Sequence, residues 1–194
     1  MKAAGIILAA GCSRRAGLFK PELDIAGKPL LVRSIESMRE SCEHIVVVAG
    51  CRAVRVERIT ADIPNCVTVK NPAYRRGMFS SVRKGICEVH AERFFVLPGD
   101  QPLIRPQTFL RMLDVKAAVV VPRYRGKKGH PVLFSAACIP ELRAMQDTDI
   151  LRDYIHAGKD VEVVDVDDPG IGIDVDTPQD IDRVRSYYRE QSKQ

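Results

Sequence analysis

The chain has 194 residues, with 30 Lys and Arg against 25 Asp and Glu, so its formal charge is +5. That length predicts one domain over 1–194, large enough for a central sheet covered on both faces. The mild, scattered positive charge suits anionic small molecules, whereas nucleic acid calls for a denser basic stripe. No segment approaches the roughly 20 apolar residues of a membrane span, and the first apolar run is too short for a secretory signal core. The six cysteines include no C-x-x-C pair. Several lie in apolar segments as small core residues, a usage that suits a soluble protein in a reducing cytoplasm; Cys12 stands apart because it falls in a loop.

In chain order, Ala4-Gly5-Ile6-Ile7 reads as a buried strand, and the small residues that follow mark where it leaves its sheet. Leu30, Leu31, Ile35 and Met38 recur at helical spacing after Pro29. A valine-rich strand over 44–49, a helix over 53–59 and a strand over 66–70 complete a βαβαβ run, which predicts parallel pairing with right-handed crossovers. Ser80 and Ser81 are expected to cap a helix beginning there, exposing backbone N–H groups beside Gly77. A fourth strand over 94–97 ends at Pro98-Gly99-Asp100. Next come a helix over 106–113, a strand over 117–121 and a glycine-broken basic loop containing Lys127-Lys128-Gly129-His130. Short helices over 139–145 and 150–157 precede a half-exposed strand over 161–166, expected near a sheet edge. Thr177-Pro178 then starts a last helix, with Ile181, Val184 and Tyr188 on one face. The class is α/β, a mostly parallel twisted sheet with helices on both faces.

Chemistry concentrates in Leu8-Ala9-Ala10-Gly11-Cys12-Ser13-Arg14-Arg15-Ala16-Gly17-Leu18-Phe19-Lys20. Gly11 and Gly17 allow close backbone approach to a ligand, and Ser13, Arg14, Arg15 and Lys20 add donors and positive charge suited to a triphosphate. The Walker pattern fails because Gly17 is followed by Leu18-Phe19-Lys20, and the dinucleotide fingerprint fails because Gly11 has no partner at 13. Asp100, at a strand end on the same sheet edge, is a candidate magnesium ligand or a plain turn aspartate.

The pattern L-A-A-G-x-S-x-R-x-G-x-x-K resembles the signature of the nucleotidyltransferases related to the molybdenum cofactor guanylyl- and cytidylyltransferases. Three further segments, N-P…G-M-x-S-S-V, G-D-Q-P and G-x-x-G-H-P-V, occur in that family's order. The resemblance implies a three-layer, Rossmann-like nucleotidyltransferase fold, with 1–105 as the nucleotide-binding half and 106–194 as the acceptor half. It implies that Leu8, Ala9, Ala10, Gly11, Ser13, Arg14, Gly17 and Gly99 line the nucleotide site, and that Asn71, Gly77, Met78 and Ser81 face the base. It places Arg15 and Lys20 on the β- and γ-phosphates. A second carboxylate returns from D-x-D-T-P-x-D to share Mg²⁺ with Asp100, Asp176 ahead of Asp174, although Asp176 can also be read as an accessory cap. Lys128, Gly129 and His130 become acceptor-site candidates, and a buried, hydrogen-bonded His130 is an equal reading.

Transfer of a nucleotidyl group to a phosphate needs no general base, since the nucleophile is already an anion. The demand is to bring two anions together and to stabilise charge moving to pyrophosphate. Leu8-Ala9-Ala10-Gly11 resembles the CTP users, whereas GTP users have L-A-G-G. The Ala10 methyl narrows the base end, a difference worth about 1–3 kcal/mol. The expectation is therefore CMP transfer from CTP to molybdenum-loaded molybdopterin. The alternatives are GTP, a sugar or polyol phosphate acceptor, or an accessory protein that binds the cofactor and hands it to a molybdenum hydroxylase apo-enzyme without turnover.

Overall fold

A computed structural model describes residues 3–12, 19–158 and 160–191. The first strand, β1 (Ala3–Ala9), is almost wholly buried because both of its faces are covered. Ile6 joins one apolar cluster and Ile7 the other. The same alternation recurs in β6 (Arg93–Pro98), where Phe94 stacks on Phe134 at 5.3 Å and Phe95 meets Phe109 edge-on at 5.1 Å, on opposite sides of the sheet. Continuous apolar strands of this kind are what a sheet between two helical layers requires.

Between them in sequence lie the short pair β2 (Asp24–Ile25) and β3 (Lys28–Pro29), α1 (Leu30–Met38), β4 (Cys42–Ala49), α2 (Ala53–Thr60), β5 (Cys66–Lys70) and α3 (Met78–Gly85). After β6 follow α4 (Pro106–Leu113), β7 (Val119–Tyr124), β8 (Lys127–Lys128), β9 (Val132–Ser135), α5 (Ile139–Ala144), α6 (Leu151–Ala157), β10 (Val161–Asp165) and α7 (Pro178–Gln191). The large sheet runs β10-β7-β9-β6-β1-β4-β5, with β8 paired on β7. Side chains from α1, α2 and α4 fill one face; those from α3 and α5 fill the other.

The parallel expectation holds for β5-β4-β1-β6 and for β10-β7. It does not hold for β9, which is antiparallel to both β6 and β7. The cause is local. Arg125 (φ 46°) and Gly126 (φ 81°) make a two-residue turn that sends β8 back along β7, and residues with φ > 0 suit such hairpin turns. Strand β10 forms one edge of the sheet, where its alternating exposure belongs.

A third apolar cluster joins α7 to the N-terminal part of the chain through Val184, Ile25, Leu30, Leu103 and Val175. That packing draws the segment leading into α7 toward the carboxyl ends of β1 and β6. Among the described residues no helix is long and apolar enough to cross a membrane.

Candidate active site

The cleft lies where β1, β4, β5 and β6 end. Strand β6 stops at Pro98, and Gly99 N–H donates to Leu8 O at 3.0 Å, so Asp100 projects beside the segment that leaves β1. A Cβ on Gly99 would lie only 3.1 Å from Leu8 O. Asp100 O in turn accepts from Val175 N–H at 3.0 Å, which brings the distant Asp176 to the same place. Lys20 completes the group: its Nζ donates to Asp100 Oδ2 at 3.0 Å and to Asp176 Oδ1 at 2.5 Å. Lys20 is held by its neighbours, the buried Phe19 and Pro21. Arg52 and Arg55 lie over the Phe19 ring, and Arg55 also pairs with Glu22. Burial works against the Lys20 ammonium, but the hydrogen bonds to Asp176 and Asp100 outweigh it and raise its pKa above the usual 10.5.

The Asp176 carboxylate is available for this because Asp180 does the capping. Asp180 Oδ2 accepts from Thr177 N–H at 2.8 Å and from the Thr177 hydroxyl at 2.7 Å, while Asp180 N–H donates to Thr177 Oγ1 at 3.3 Å. This is a reciprocal cap at the start of α7. Asp174 points elsewhere, its Oδ1 accepting from Gln101 Nε2 at 2.6 Å.

The cleft has a volume of about 610 Å³, within the roughly 300–1,000 Å³ range of small-molecule sites. Leu8, Ala9, Ala10, Gly11, Lys20, Gly77, Met78, Ser81, Gly99 and Asp100 line it. The expected site residues Ser13, Arg14, Arg15 and Gly17 lie outside the described residues.

Asn71 stands behind the cleft wall. It is buried, its amide nitrogen donates to Ser80 Oγ (2.9 Å) and Ser81 Oγ (3.0 Å), and its oxygen accepts from Ala73 N–H. The helix α3 begins at Met78 with Gly77 as its cap residue at φ 130°, a backbone conformation that favours glycine. Ser80 and Ser81 therefore sit inside the first turn and do not cap it, correcting the sequence expectation. Ser80 Oγ donates back to Gly77 O and Ala73 O, bracing the turn from below.

Sequence reasoning assigned no role to Tyr74, Arg75, Pro21 or Cys12, all of which line the cleft. Tyr74 is placed by a close approach, since a Cβ on Gly50 would lie 2.6 Å from Tyr74 Cβ. Gln101 was missed as well, although it stands next to Asp100 in the G-D-Q-P motif. Another correction concerns the cysteines: Cys12 and Cys51 are joined as a disulfide, with Cα atoms 5.1 Å apart, while Cys66, Cys87 and Cys138 are free.

On the other side of Asp100, Gly129 N–H donates to Pro122 O and His130 N–H to Ile171 O at 2.8 Å. Lys128 is exposed on β8. His130 Nδ1 and Gln101 Oε1 are buried polar atoms with no partner among the described residues. Burial pushes the His130 imidazole below its ordinary 6.5, while Asp174 and Asp100 pull it upward and Arg152 pushes it down. The unfolded chain therefore takes up a proton below pH 6.5 that the folded chain refuses, and stability falls as pH falls from that point. Relative to His130→Gln, the parent is expected to lose up to about 1.4 kcal/mol per pH unit there. Denaturant titrations between pH 5 and 7 measure this; parallel curves for the two proteins would contradict it.

A three-layer α/β sheet with a cationic residue and two carboxylates at the mouth of one cleft defines a nucleoside-triphosphate-using transferase class. The chain belongs to the MobA-like NTP transferase domain family, whose model matches residues 5–162. It is 28% identical over 186 residues to the molybdenum cofactor cytidylyltransferase of Escherichia coli K12, covering 95% of this chain and 96% of that one. Rv0371c of Mycobacterium tuberculosis superposes with a TM-score of 0.82 at 27% identity, over 96% of this chain and 98% of that one. A structure of the same mycobacterial protein in complex with manganese gives 0.76, at 26% identity and over 96% and 99% of the two chains. A nucleotidyl transferase from Methanothermobacter shares the fold, with a TM-score of 0.84 at 20% identity over 97% and 98%. The protein is a nucleotidyltransferase of the MobA-like type.

Proposed function

We propose that the protein transfers CMP from CTP to the phosphate of molybdenum-loaded molybdopterin, releasing pyrophosphate. The observation that carries the reading is the meeting of Lys20, Asp100 and Asp176, from three distant stretches of chain, at the mouth of the cleft. The 28% identity to a cytidylyltransferase over nearly the full length, and the Ala10 methyl in the cleft lining, favour cytidine.

Asp100 and Asp176 fit a magnesium ion. In the structure both carboxylates already converge on one cation, the Lys20 ammonium, and magnesium is commonly held by one or two carboxylates with phosphate oxygens and water completing the shell. Among the described residues no group of three or more His, Cys, Asp or Glu converges; Asp100 and Asp176 are the two ligands we assign to the ion. A relative of the same fold has been crystallised with manganese. Bound there, a divalent ion neutralises charge on the phosphates during in-line displacement.

The chain's own work is to position and to bind. Backbone N–H groups of the segment after β1 and the Lys20 ammonium receive the triphosphate, and Gly77, Met78 and Ser81 form the wall beside the base. Gly129, His130 and Lys128, on the 106–194 half, take the acceptor side. Nδ1 of His130 and Oε1 of Gln101, without partners among the described residues, are available to a polar acceptor group there. No general base is needed because the attacking phosphate is already ionised.

Binding tests the nucleotide first. At a hundred times its Kd a ligand raises stability by about 2.7 kcal/mol, so with magnesium CTP is expected to raise the melting temperature more than GTP, UTP or ATP does. A larger shift with GTP would move the assignment to guanylyl transfer. Pyrophosphate release with CTP, magnesium and molybdenum-loaded molybdopterin tests the acceptor. Release only with a sugar or polyol phosphate would replace it, and nucleotide binding without release would favour a cofactor carrier.

A further inference from the structure

We infer that Cys12 and Cys51 form a reversible oxidation site at the nucleotide cleft, one that takes a low-molecular-weight disulfide as co-reactant and, when closed, ties the cleft wall at Cys12 to the end of β4. The inference rests on the nucleotide reading of the cleft. Cys12 lines the cleft wall, three residues beyond the end of β1. Cys51 lies two residues beyond β4, the strand parallel to β1. Their Cα atoms are 5.1 Å apart, inside the range that a disulfide spans without backbone movement.

The placement is built into the fold. Cys51 N–H donates to Ala10 O at 3.1 Å, so one residue is tethered two positions before Cys12 whether or not the sulfurs are joined. Gly50 packs against Tyr74 and Ala10 O, leaving no room for a side chain. Arg52, at φ 59°, turns the chain at once into α2. Cys51 is therefore anchored on a rigid strand end. Among the described residues the backbone bond at Ala10 links this segment to the strand end, and the disulfide adds a covalent link at Cys12 in the cleft wall.

The exchange balances without any further reagent. The Cys12 thiolate attacks one sulfur of a glutathione-type disulfide and releases one thiol. The Cys51 thiolate then attacks the Cys12 sulfur of the mixed disulfide and releases the second. Two protein thiols are oxidised and one external disulfide is reduced to two thiols. In a reducing compartment such pairs are transient, which suits a control device better than a permanent staple. The other cysteines do not compete for the same role. Cys42 and Cys138 are buried, and burial pushes the Cys66 thiol up to about 11. Cys87 is exposed and is free in the structure.

The test equilibrates the full-length protein in glutathione buffers from reducing to oxidising. Alkylation and peptide mapping follow the bond, and the Kd for magnesium-CTP is measured in each state. The expected result is a Cys12–Cys51 linked peptide in the oxidised protein and a Kd about two- to tenfold weaker in the reduced protein, the factor that ordering a few side chains corresponds to. The double variant Cys12→Ser/Cys51→Ser, which has neither thiol, is expected to bind with one Kd in every buffer, and Cys87→Ser to keep the full redox response. Absence of the linked peptide, equal Kd values in the two states, or a redox response that survives in Cys12→Ser/Cys51→Ser would each overturn the inference. If the linked peptide forms but no nucleoside triphosphate binds either state, the nucleotide reading fails and takes the coupling with it.

Discussion

Asp100→Asn is expected to lower cytidylyl transfer by roughly a hundredfold or more, while the melting temperature stays within a few degrees of the parent. The two effects separate because of where the carboxylate sits. Its side chain is 30% exposed and paired with Lys20, and exposed or half-exposed ion pairs contribute only about 0–1 kcal/mol to folding. A charge aimed at a shifting phosphate charge in a preorganised site counts for much more, because solvent is not required to reorganise around it during the reaction. Asn keeps the shape and removes the negative charge, so the phosphates would lose one of the two carboxylates that fit a divalent ion. Asp176→Asn is expected to act in the same direction, and the double variant to cost less than the sum of the two, since both groups serve one cation. Steady-state pyrophosphate release and thermal melting on the same preparations check this. If Asp100→Asn keeps its rate, Asp100 belongs to a turn and not to the reaction; a collapse of the melting temperature with loss of rate would make the pair structural.

Gly129→Ala is expected to be a strongly damaging small substitution on the acceptor side. A Cβ there would lie 2.1 Å from Ile171 O and 2.7 Å from Ile171 C, both backbone atoms that have no rotamer to escape into. Relief requires separating 129–130 from the 170–174 segment, and with it the hydrogen bond from His130 N–H to Ile171 O at 2.8 Å. Overpacking of this kind costs about 1–3 kcal/mol, occasionally more, and for a chain of this length each kcal/mol lowers the melting temperature by roughly 2–4 °C. Gly172→Ala is the matched control. It lies in the same segment, yet a Cβ there meets nothing within 4 Å, so its melting temperature should hardly move. Because His130 shifts with the strained backbone, Gly129→Ala is also expected to raise KM for the acceptor more than KM for CTP. Equal melting temperatures for the two alanine variants would refute the packing argument.

Much of this architecture was legible in the sequence. The run Cys66–Lys70 and the helix Pro106–Leu113 have the predicted bounds, because their apolar spacing is set by covalent geometry and local sterics. The last helix presents Val184, Ile181 and Tyr188 to a buried cluster as its periodicity required. Strand β9 was harder to foresee, since its direction depends on where a hairpin inserts between β6 and β7, a choice made by long-range packing.

At the site, the sequence by itself determined which residue types were on offer: glycines and cations after the first strand, an aspartate at the end of the fourth predicted strand, and two more aspartates before the last helix. Only the tertiary structure decided among them. It set Asp180 as the cap and so left Asp176 for Lys20, turned Asp174 toward Gln101, moved Asn71 behind the wall as a brace for Ser80 and Ser81, and put Cys12 beside Cys51. The physical reason is the same throughout. A side chain's chemistry is carried in its own atoms, but its partner is assigned by strand order and packing between segments as far apart as Lys20 and Asp176, and no local pattern encodes that distance.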